Sequence, residues 1–247
     1  MSKNRASKNL RRTTVTPQAN TIVFDTQNHT RSDIARHTLV PKSRNQEQLI
    51  LSLQDSSQHI VVAVGPAGTG KTYLAMMAAI QALRGRSVDR IVLTRPAVGV
   101  EDERHGFLPG GIIDKMEPWT RPMIDVLREH YRANEINNMI NDQVIEIAPL
   151  AFMRGRTFRN CWVIADEMQN ATPAQIKMLL TRIGNNSRIV VTGDVEQTDK
   201  AVHNNGLINL CDRLRRTPVN GIALCSLGDH DIQRHSLIRS ILELYSV

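Results

Sequence analysis

The segment GPAGTGKT, residues 65–72, constrains the fold of this chain more than any other feature of its 247 residues. It matches the pattern G-x-x-x-x-G-K-[ST], in which glycines let the backbone curl until successive N–H groups face one point. A short apolar run over 59–64 precedes the segment, and apolar residues at helical spacing follow it over 71–83. Strand, loop and helix in this order predict a phosphate-binding loop at a helix N-terminus.

The loop residues are expected to enclose the phosphates of ATP. Lys71 would place a point charge along the β- and γ-phosphates, and Thr72 would offer its hydroxyl to Mg²⁺. The strand before the loop and the helix after it argue against the alternative of an ordinary glycine-rich turn. The residues predicted to bind ATP in this way are Gly65, Pro66, Ala67, Gly68, Thr69, Gly70, Lys71 and Thr72.

A pair of acidic residues follows a second apolar run, in the segment CWVIADE. In α/β proteins the carboxyl ends of the strands form the edge at which ligands bind, so Asp166 and Glu167 are expected near the loop. Asp166 is predicted to hold Mg²⁺ through its water shell, and Glu167 to accept a proton from the attacking water. A base beside the metal ligand favours hydrolysis over phosphate transfer by a small-molecule kinase. The alternative is a solvated acidic pair at a strand end.

A third apolar run, RIVVTGD, ends at Asp194 and is followed by Gln197. A carboxylate and an amide at the same sheet edge could hydrogen-bond the γ-phosphate or the attacking water. Gly-Asp is also a common turn signal, so this pattern gains its meaning from the loop and the acidic pair before it.

Short β-branched runs alternate with helical stretches along the rest of the chain. A helix capped by Ser43, with Gln46 at its third position, is predicted near the start, and another is predicted from Thr172 to a stop at Gly184. The alternation predicts an α/β fold with a mainly parallel, doubly wound sheet and helices on both faces. The predicted strands lie at 59–64, 90–93, 161–165, 188–191 and 222–224.

The first 45 residues carry nine Lys and Arg against two Asp, a net charge of +7 that equals the net charge of the whole chain. Residues 1–40 contain too few apolar side chains to order themselves, and they are predicted to be a flexible basic extension before a domain over 41–247. Such a tail suits the phosphates of RNA or is a solubilising arm; composition leaves both open. No apolar run approaches the roughly 18 residues of a membrane helix, so we expect a cytoplasmic protein with no membrane contact.

Eight blocks of this sequence are spread over about residues 45–245: GPAGTGKTYLA, TRP, GFLPG, PLAFMRGRTF, DEMQN, TRIG, GDVEQTD and QRHS. Taken in this order, they resemble the PhoH-like family. The resemblance implies a RecA-like P-loop NTPase domain, similar to the first half of superfamily 1 helicases, with ATPase activity and a link to RNA metabolism.

The same resemblance suggests roles for residues outside the loop. Gln46 matches a glutamine that recognises adenine, although its place in a helix cap explains it equally well. Arg154, Arg156 and Arg182 match family positions that could contact phosphate or nucleic acid, and Arg234 is the preferred arginine finger. Each arginine could instead be an ordinary solvated or ion-paired side chain.

Residues 41–247 suffice for one RecA-like lobe, whereas helicase motors close two lobes around ATP. We therefore expect a homo-oligomer in which a neighbouring subunit covers the nucleotide and supplies an arginine in trans. The leading hypothesis is an ATPase that acts on, or is regulated by, RNA or single-stranded nucleic acid. The alternative is a nucleotide-dependent assembly switch read by a protein partner without nucleic-acid remodelling.

Overall fold

The computed structural model describes residues 39–96, 112–197 and 205–233. The predicted basic extension lies outside these ranges apart from its last two residues, and so does Arg234. Leu39 is buried in the core. The strands of the described part are β1 (Ile60–Val64), β2 (Arg90–Thr94), β3 (Ile145–Ile147), β4 (Cys161–Ala165), β5 (Arg188–Gly193) and β6 (Ile222–Ser226). The α-helices are α1 (Arg44–Gln54), α2 (Lys71–Arg84), α3 (Ile112–Arg128), α4 (Ala133–Asn141), α5 (Pro173–Leu180) and α6 (Gly206–Arg216).

The six strands form one sheet in the order β3-β2-β4-β5-β1-β6, and every neighbouring pair is parallel. Successive residues of a strand face opposite sides, so Val61 and Ala63 lie in one core and Val62 in the other. Helices α1 to α4 pack on the first side, and α5 and α6 on the second. The predicted α/β class, with a doubly wound parallel sheet, is confirmed.

β5 lies between β1 and β4 in this order. The carboxyl ends of parallel strands meet at one edge of the sheet, so the end of β5 stands between the phosphate loop after β1 and the acidic pair after β4. The strand order alone therefore gathers the three predicted site segments.

The predicted helix at Thr172 begins as expected but ends earlier. Thr172 Oγ1 accepts from the N–H of Gln175 at 3.3 Å, and the Gln175 side chain accepts from the Thr172 N–H at 2.8 Å. The helix ends at Leu180, four residues before the predicted stop at Gly184. The chain leaves the helix because the carbonyl of Arg182 accepts from the N–H of Phe158 at 2.8 Å.

In the described part of the chain, none of the helices combines the length and the apolar character needed to cross a membrane.

Candidate active site

The phosphate loop starts where the backbone has no room for a side chain. β1 ends at Val64, whose carbonyl accepts from the N–H of Leu227 at 2.8 Å. Gly65 has a φ of +148°, and a Cβ at this position would lie 2.3 Å from the carbonyl oxygen of Leu227. At the other end of the loop, Gly70 precedes α2 without a side-chain capping bond. The first N–H groups of α2 therefore remain available to an anion.

Lys71 folds back over the loop that carries it. Its side chain is buried, and Nζ donates to the carbonyls of Gly65 at 2.6 Å and Pro66 at 2.7 Å and to Thr69 Oγ1 at 3.3 Å. These neutral acceptors lie inside the turn, where phosphate oxygens are expected. The ammonium group is thus held at the point where it could meet a phosphate.

Burial and three nearby carboxylates have opposite effects on the charge of Lys71. Burial lowers the pKa of Lys71 from its ordinary value, while the carboxylates of Asp194, Asp166 and Glu167 act in the opposite direction. Three carboxylates around one cation leave the cavity without the net positive charge that would bind a triphosphate alone. A divalent cation bound together with the nucleotide would correct that balance.

One oxygen of the Asp166 carboxylate accepts hydrogen bonds from two hydroxyl groups. Thr72 Oγ1 donates to Asp166 Oδ1 at 2.8 Å, and Thr192 Oγ1 from β5 donates to the same oxygen at 2.5 Å. Asp166 is 7% exposed. Hydroxyl and carboxylate oxygens are the donors that Mg²⁺ prefers, so this group fits the ion that a P-loop implies.

Glu167 has a left-handed backbone, with φ of +53° and ψ of +39°. A residue other than glycine in this region costs on the order of 1 kcal/mol or more, and such strain is concentrated at functional sites. The Glu167 side chain is half-buried, and its Oε2 accepts from Gln169 Nε2 at 2.5 Å.

The end of β5 completes the arrangement. The backbone N–H of Asp194 donates to Gln169 Oε1 at 3.2 Å, and Asp194 Oδ1 accepts from the N–H of Glu196 at 2.9 Å. The second bond closes a tight turn that leads to Gln197, which is exposed. A cavity of about 240 Å³ is lined by Ala67, Gly68, Gly70, Lys71, Thr72, Tyr73, Asp166, Glu167, Gly193, Asp194 and Gln197.

A larger cavity, of about 460 Å³, lies at the amino edge of the sheet, where Trp162 and Arg188 contribute to its wall. That edge is opposite the phosphate loop. We take the smaller cavity as the candidate active site because the loop, the acidic pair and the β5 turn meet there.

Gln46 does not form the capping box that its position suggested. Ser43 Oγ accepts from the Gln46 N–H at 3.2 Å, so the first half of the motif is present. The Gln46 side chain turns elsewhere: Oε1 accepts from the N–H of Lys42 at 2.8 Å, and Nε2 donates to the carbonyl of Thr69 at 3.0 Å. The side chain is 4% exposed, and it braces the phosphate loop.

Of the predicted arginines, the structure describes Arg154, Arg156 and Arg182, and none of these three lines the cavity. Arg156 donates to both carboxylate oxygens of Glu146, at 2.5 and 2.8 Å. Arg182 follows α5 at the amino edge of the sheet, where it donates to the Arg156 carbonyl at 3.4 Å. Arg154 is exposed, and Arg234 lies outside the described residues.

Two residues at this site were missed by the sequence analysis. Thr192 bonds the same Asp166 oxygen as Thr72, but its position inside an apolar strand made it resemble ordinary core. Gln169 contacts both Glu167 and the Asp194 backbone. Its place two residues after Glu167, within the block DEMQN, was the signal that could have identified it.

The sequence profile of the PhoH-like protein family matches residues 38–246. A PhoH-like protein of Synechocystis is 44% identical over 204 residues, which cover 83% of this chain and 61% of the relative. The corresponding values are 42%, 83% and 63% for a PhoH-like protein of Bacillus subtilis, and 40%, 86% and 60% for protein PhoH of Escherichia coli K12. This chain therefore spans about three-fifths of the length of these relatives.

Among solved structures, the large terminase of a thermophilic bacteriophage is similar, with a TM-score of 0.51 and 10% sequence identity. The similarity covers 83% of this chain and 50% of the terminase, and it concerns the fold. The parallel sheet and the loop between β1 and α2 make this a RecA-like P-loop NTPase fold, which is a nucleotide-binding fold. With the profile match and these relatives, the chain belongs to the PhoH-like protein family.

Proposed function

We propose that this chain is an Mg²⁺-dependent ATPase, which hydrolyses ATP to ADP and phosphate and is coupled to RNA or other single-stranded nucleic acid. The observation that carries the proposal is the meeting of Lys71, Thr72, Asp166 and Glu167 around one cavity. These are a phosphate-binding cation, two metal ligands and a base. An ATP-binding module that performs no hydrolysis would not require the base.

Lys71 binds and orients the phosphates. Its ammonium group rests on two loop carbonyls, at 2.6 and 2.7 Å, which are neutral acceptors. Phosphate oxygens are charged acceptors and form stronger bonds, so ATP draws Lys71 away from the carbonyls of Gly65 and Pro66. The N–H groups at the start of α2 add further donors to the same phosphates.

Thr72 and Asp166 are the residues that hold Mg²⁺, which when bound neutralises charge on the β- and γ-phosphate oxygens. Thr72 Oγ1 donates a hydrogen bond to Asp166 Oδ1, and this leaves the lone pairs of the hydroxyl oxygen free for a cation. Thr192 donates to the same carboxylate oxygen and fixes the direction of the Asp166 side chain.

Glu167 takes a proton from the attacking water, because it lines the cavity directly after the metal-binding carboxylate. Asp194 and Gln197 line the cavity from the β5 side. Their positions suit hydrogen bonds that orient the same water or the γ-phosphate.

The coupling to nucleic acid has separate support. Phe152 is 53% exposed, and Arg154, two residues later, is also exposed and has no ion pair within the described ranges. An exposed aromatic ring two residues from an exposed cation in the sequence suits base stacking and phosphate contact. The basic N-terminal segment adds charge for the same partner.

A homo-oligomer with an arginine supplied in trans, preferably Arg234, completes the proposal. Arginines that stabilise the charge of phosphoryl transfer come either from the same chain or from a partner. None of the described residues that line the cavity is an arginine, which is compatible with an arginine supplied by a neighbouring subunit.

Steady-state ATP hydrolysis with and without a single-stranded RNA oligonucleotide tests the proposal. We expect RNA to stimulate turnover, and we expect Lys71→Ala and Glu167→Gln to abolish this stimulation. A variant that lacks residues 1–40 should lose part of the stimulation if the tail binds RNA. Turnover indifferent to RNA would favour the assembly switch, and phosphate transfer to an acceptor other than water would favour a kinase.

A further inference from the structure

Gln169 lies between two parts of the cavity and hydrogen-bonds to both. Its side chain is 3% exposed. Nε2 donates to Glu167 Oε2 at 2.5 Å, while Oε1 accepts from the backbone N–H of Asp194 at 3.2 Å. A side-chain amide offers one donor group and one acceptor group, and here each is used on a different side of the site.

The neighbouring chain is shaped around this amide. A Cβ on Gly193 would lie 2.7 Å from Gln169 Oε1 and 2.6 Å from a methyl group of Leu207. A side chain at position 193 would therefore displace the amide or Leu207, and glycine leaves room for the amide at the end of β5.

Glu167 needs such a partner more than most carboxylates do. Its side chain is half-buried and extends from a left-handed backbone, so the sheet alone does not define where the carboxylate points. Proton transfer to a base requires the carboxylate in one orientation. The Gln169 amide hydrogen-bonds to one oxygen of the Glu167 carboxylate and also to the backbone of Asp194. It thereby links the carboxylate to the turn that carries Asp194.

We infer that Gln169 is a positioning residue for hydrolysis. It holds the Glu167 carboxylate in a fixed position relative to the turn after β5, which carries Asp194 and Gln197. The inference rests on the proposed ATPase activity. Gln169 acts through Glu167: it is not among the residues that line the cavity, and its described side-chain hydrogen bonds go to Glu167 and the Asp194 backbone. Its loss therefore lowers turnover and leaves ATP binding intact.

Two variants separate this role from a packing role. Gln169→Met keeps a similar volume without the amide, and Gln169→Asn keeps the amide on a side chain too short to reach both partners. We expect kcat to fall on the order of 10- to 100-fold in both, since small misplacements of reacting groups cost this much. The KM, the affinity for a fluorescent ATP analogue and the melting temperature should stay near wild type. A raised KM with unchanged kcat, or a wild-type kcat in a folded variant, would overturn the inference.

A double-mutant cycle in single-turnover reactions gives the sharper result. If Gln169 acts through Glu167, then Gln169→Met causes no further loss in a Glu167→Gln background. The same fold loss in both backgrounds would show that Gln169 acts independently, and the inference would be wrong. Full hydrolysis by Glu167→Gln would instead refute the proposed ATPase mechanism. An inactive Glu167→Gln beside a fully active Gln169→Met would refute this inference alone.

Discussion

Amide side chains near this cavity connect two segments of the chain, because each end of the amide hydrogen-bonds to a different segment. Gln46 illustrates this, because one end of its amide holds the chain before α1 and the other holds the phosphate loop at Thr69. The resemblance to the family suggests adenine recognition for Gln46, and these contacts favour a loop brace. The two roles make different predictions for binding: adenine recognition should affect ATP alone, whereas support of the loop should affect ATP and GTP alike.

Replacing Gln46 should therefore weaken ATP and GTP to the same extent. In Gln46→Ala the Thr69 carbonyl loses its donor, and the loop must become ordered when phosphates bind. Binding of fluorescent ATP and GTP analogues measures the effect, with Gln48→Ala, on the exposed face of the same helix, as the matched control. A loss confined to ATP would support adenine recognition.

At the scale of elements, local patterns predicted five strands and the caps of α1 and α5, because these depend on neighbours in sequence. The short edge strand β3 and the helices α3 and α4 were not predicted. Three residues are too few for a pattern, and Pro118 and Pro122 within α3 hide its helical character. The early end of α5 has another cause, since it depends on pairing with Phe158, 22 residues earlier in sequence than Leu180.

The strand β3 is tied to the segment before β4 by an ion pair that no local pattern shows. The two hydrogen bonds from Arg156 lower the pKa of Glu146 below its ordinary value, although partial burial opposes them. The folded-state pKa is thus below the unfolded one. The ion pair stabilises the protein fully at pH values above the unfolded-state pKa, which for glutamate is about 4.3. This stabilisation is lost as the pH falls through the lowered folded-state pKa.

Glu146→Gln should therefore cost about 1–2 kcal/mol of unfolding free energy at pH 7 and progressively less below pH of about 4. Urea unfolding at several pH values measures this difference. The exposed pair of Asp212 and Arg215 in α6 is the control, and Asp212→Asn should cost no more than about 0.5 kcal/mol. An equal cost for Glu146→Gln at pH 7 and pH 3 would contradict the assigned ion pair.

At the scale of the whole molecule, the parallel strand order explains why the site segments could be predicted from sequence. Apolar runs that end in Gly65, Asp166 and Asp194 reach the same edge in any parallel sheet. The contacts among them could not be predicted, because Gln169 and Thr192 gain their partners through the insertion of β5 between β1 and β4. Sequence therefore predicted that these three segments meet at one edge of the sheet, and tertiary structure was needed to identify the side chains that bond to them.

The proposed shared site predicts that inactive subunits complement each other. Lys71→Ala lacks the phosphate-binding cation, and Arg234→Ala lacks the proposed finger. If the arginine acts in trans, mixed oligomers contain sites that combine an intact Lys71 with an intact Arg234, and about a quarter of wild-type activity returns in an equal mixture. ATP hydrolysis by the mixture, compared with each variant alone, is the measurement. The backbone N–H of Gln233 donates to the Gly68 carbonyl at 2.8 Å, so action within one chain is the alternative. A mixture no more active than its components would contradict supply of Arg234 in trans.

The most direct test of the central claim compares ATP binding with ATP hydrolysis in Glu167→Gln. The account predicts that this variant binds ATP with near wild-type affinity in Mg²⁺, because its phosphate-binding loop and metal-binding residues are intact. Its rate of phosphate release should fall about 10²- to 10⁴-fold, because the general base is absent. Lys71→Ala, by contrast, should lose binding itself. Phosphate release by Glu167→Gln at the wild-type rate would contradict the account, since the base would then lie elsewhere.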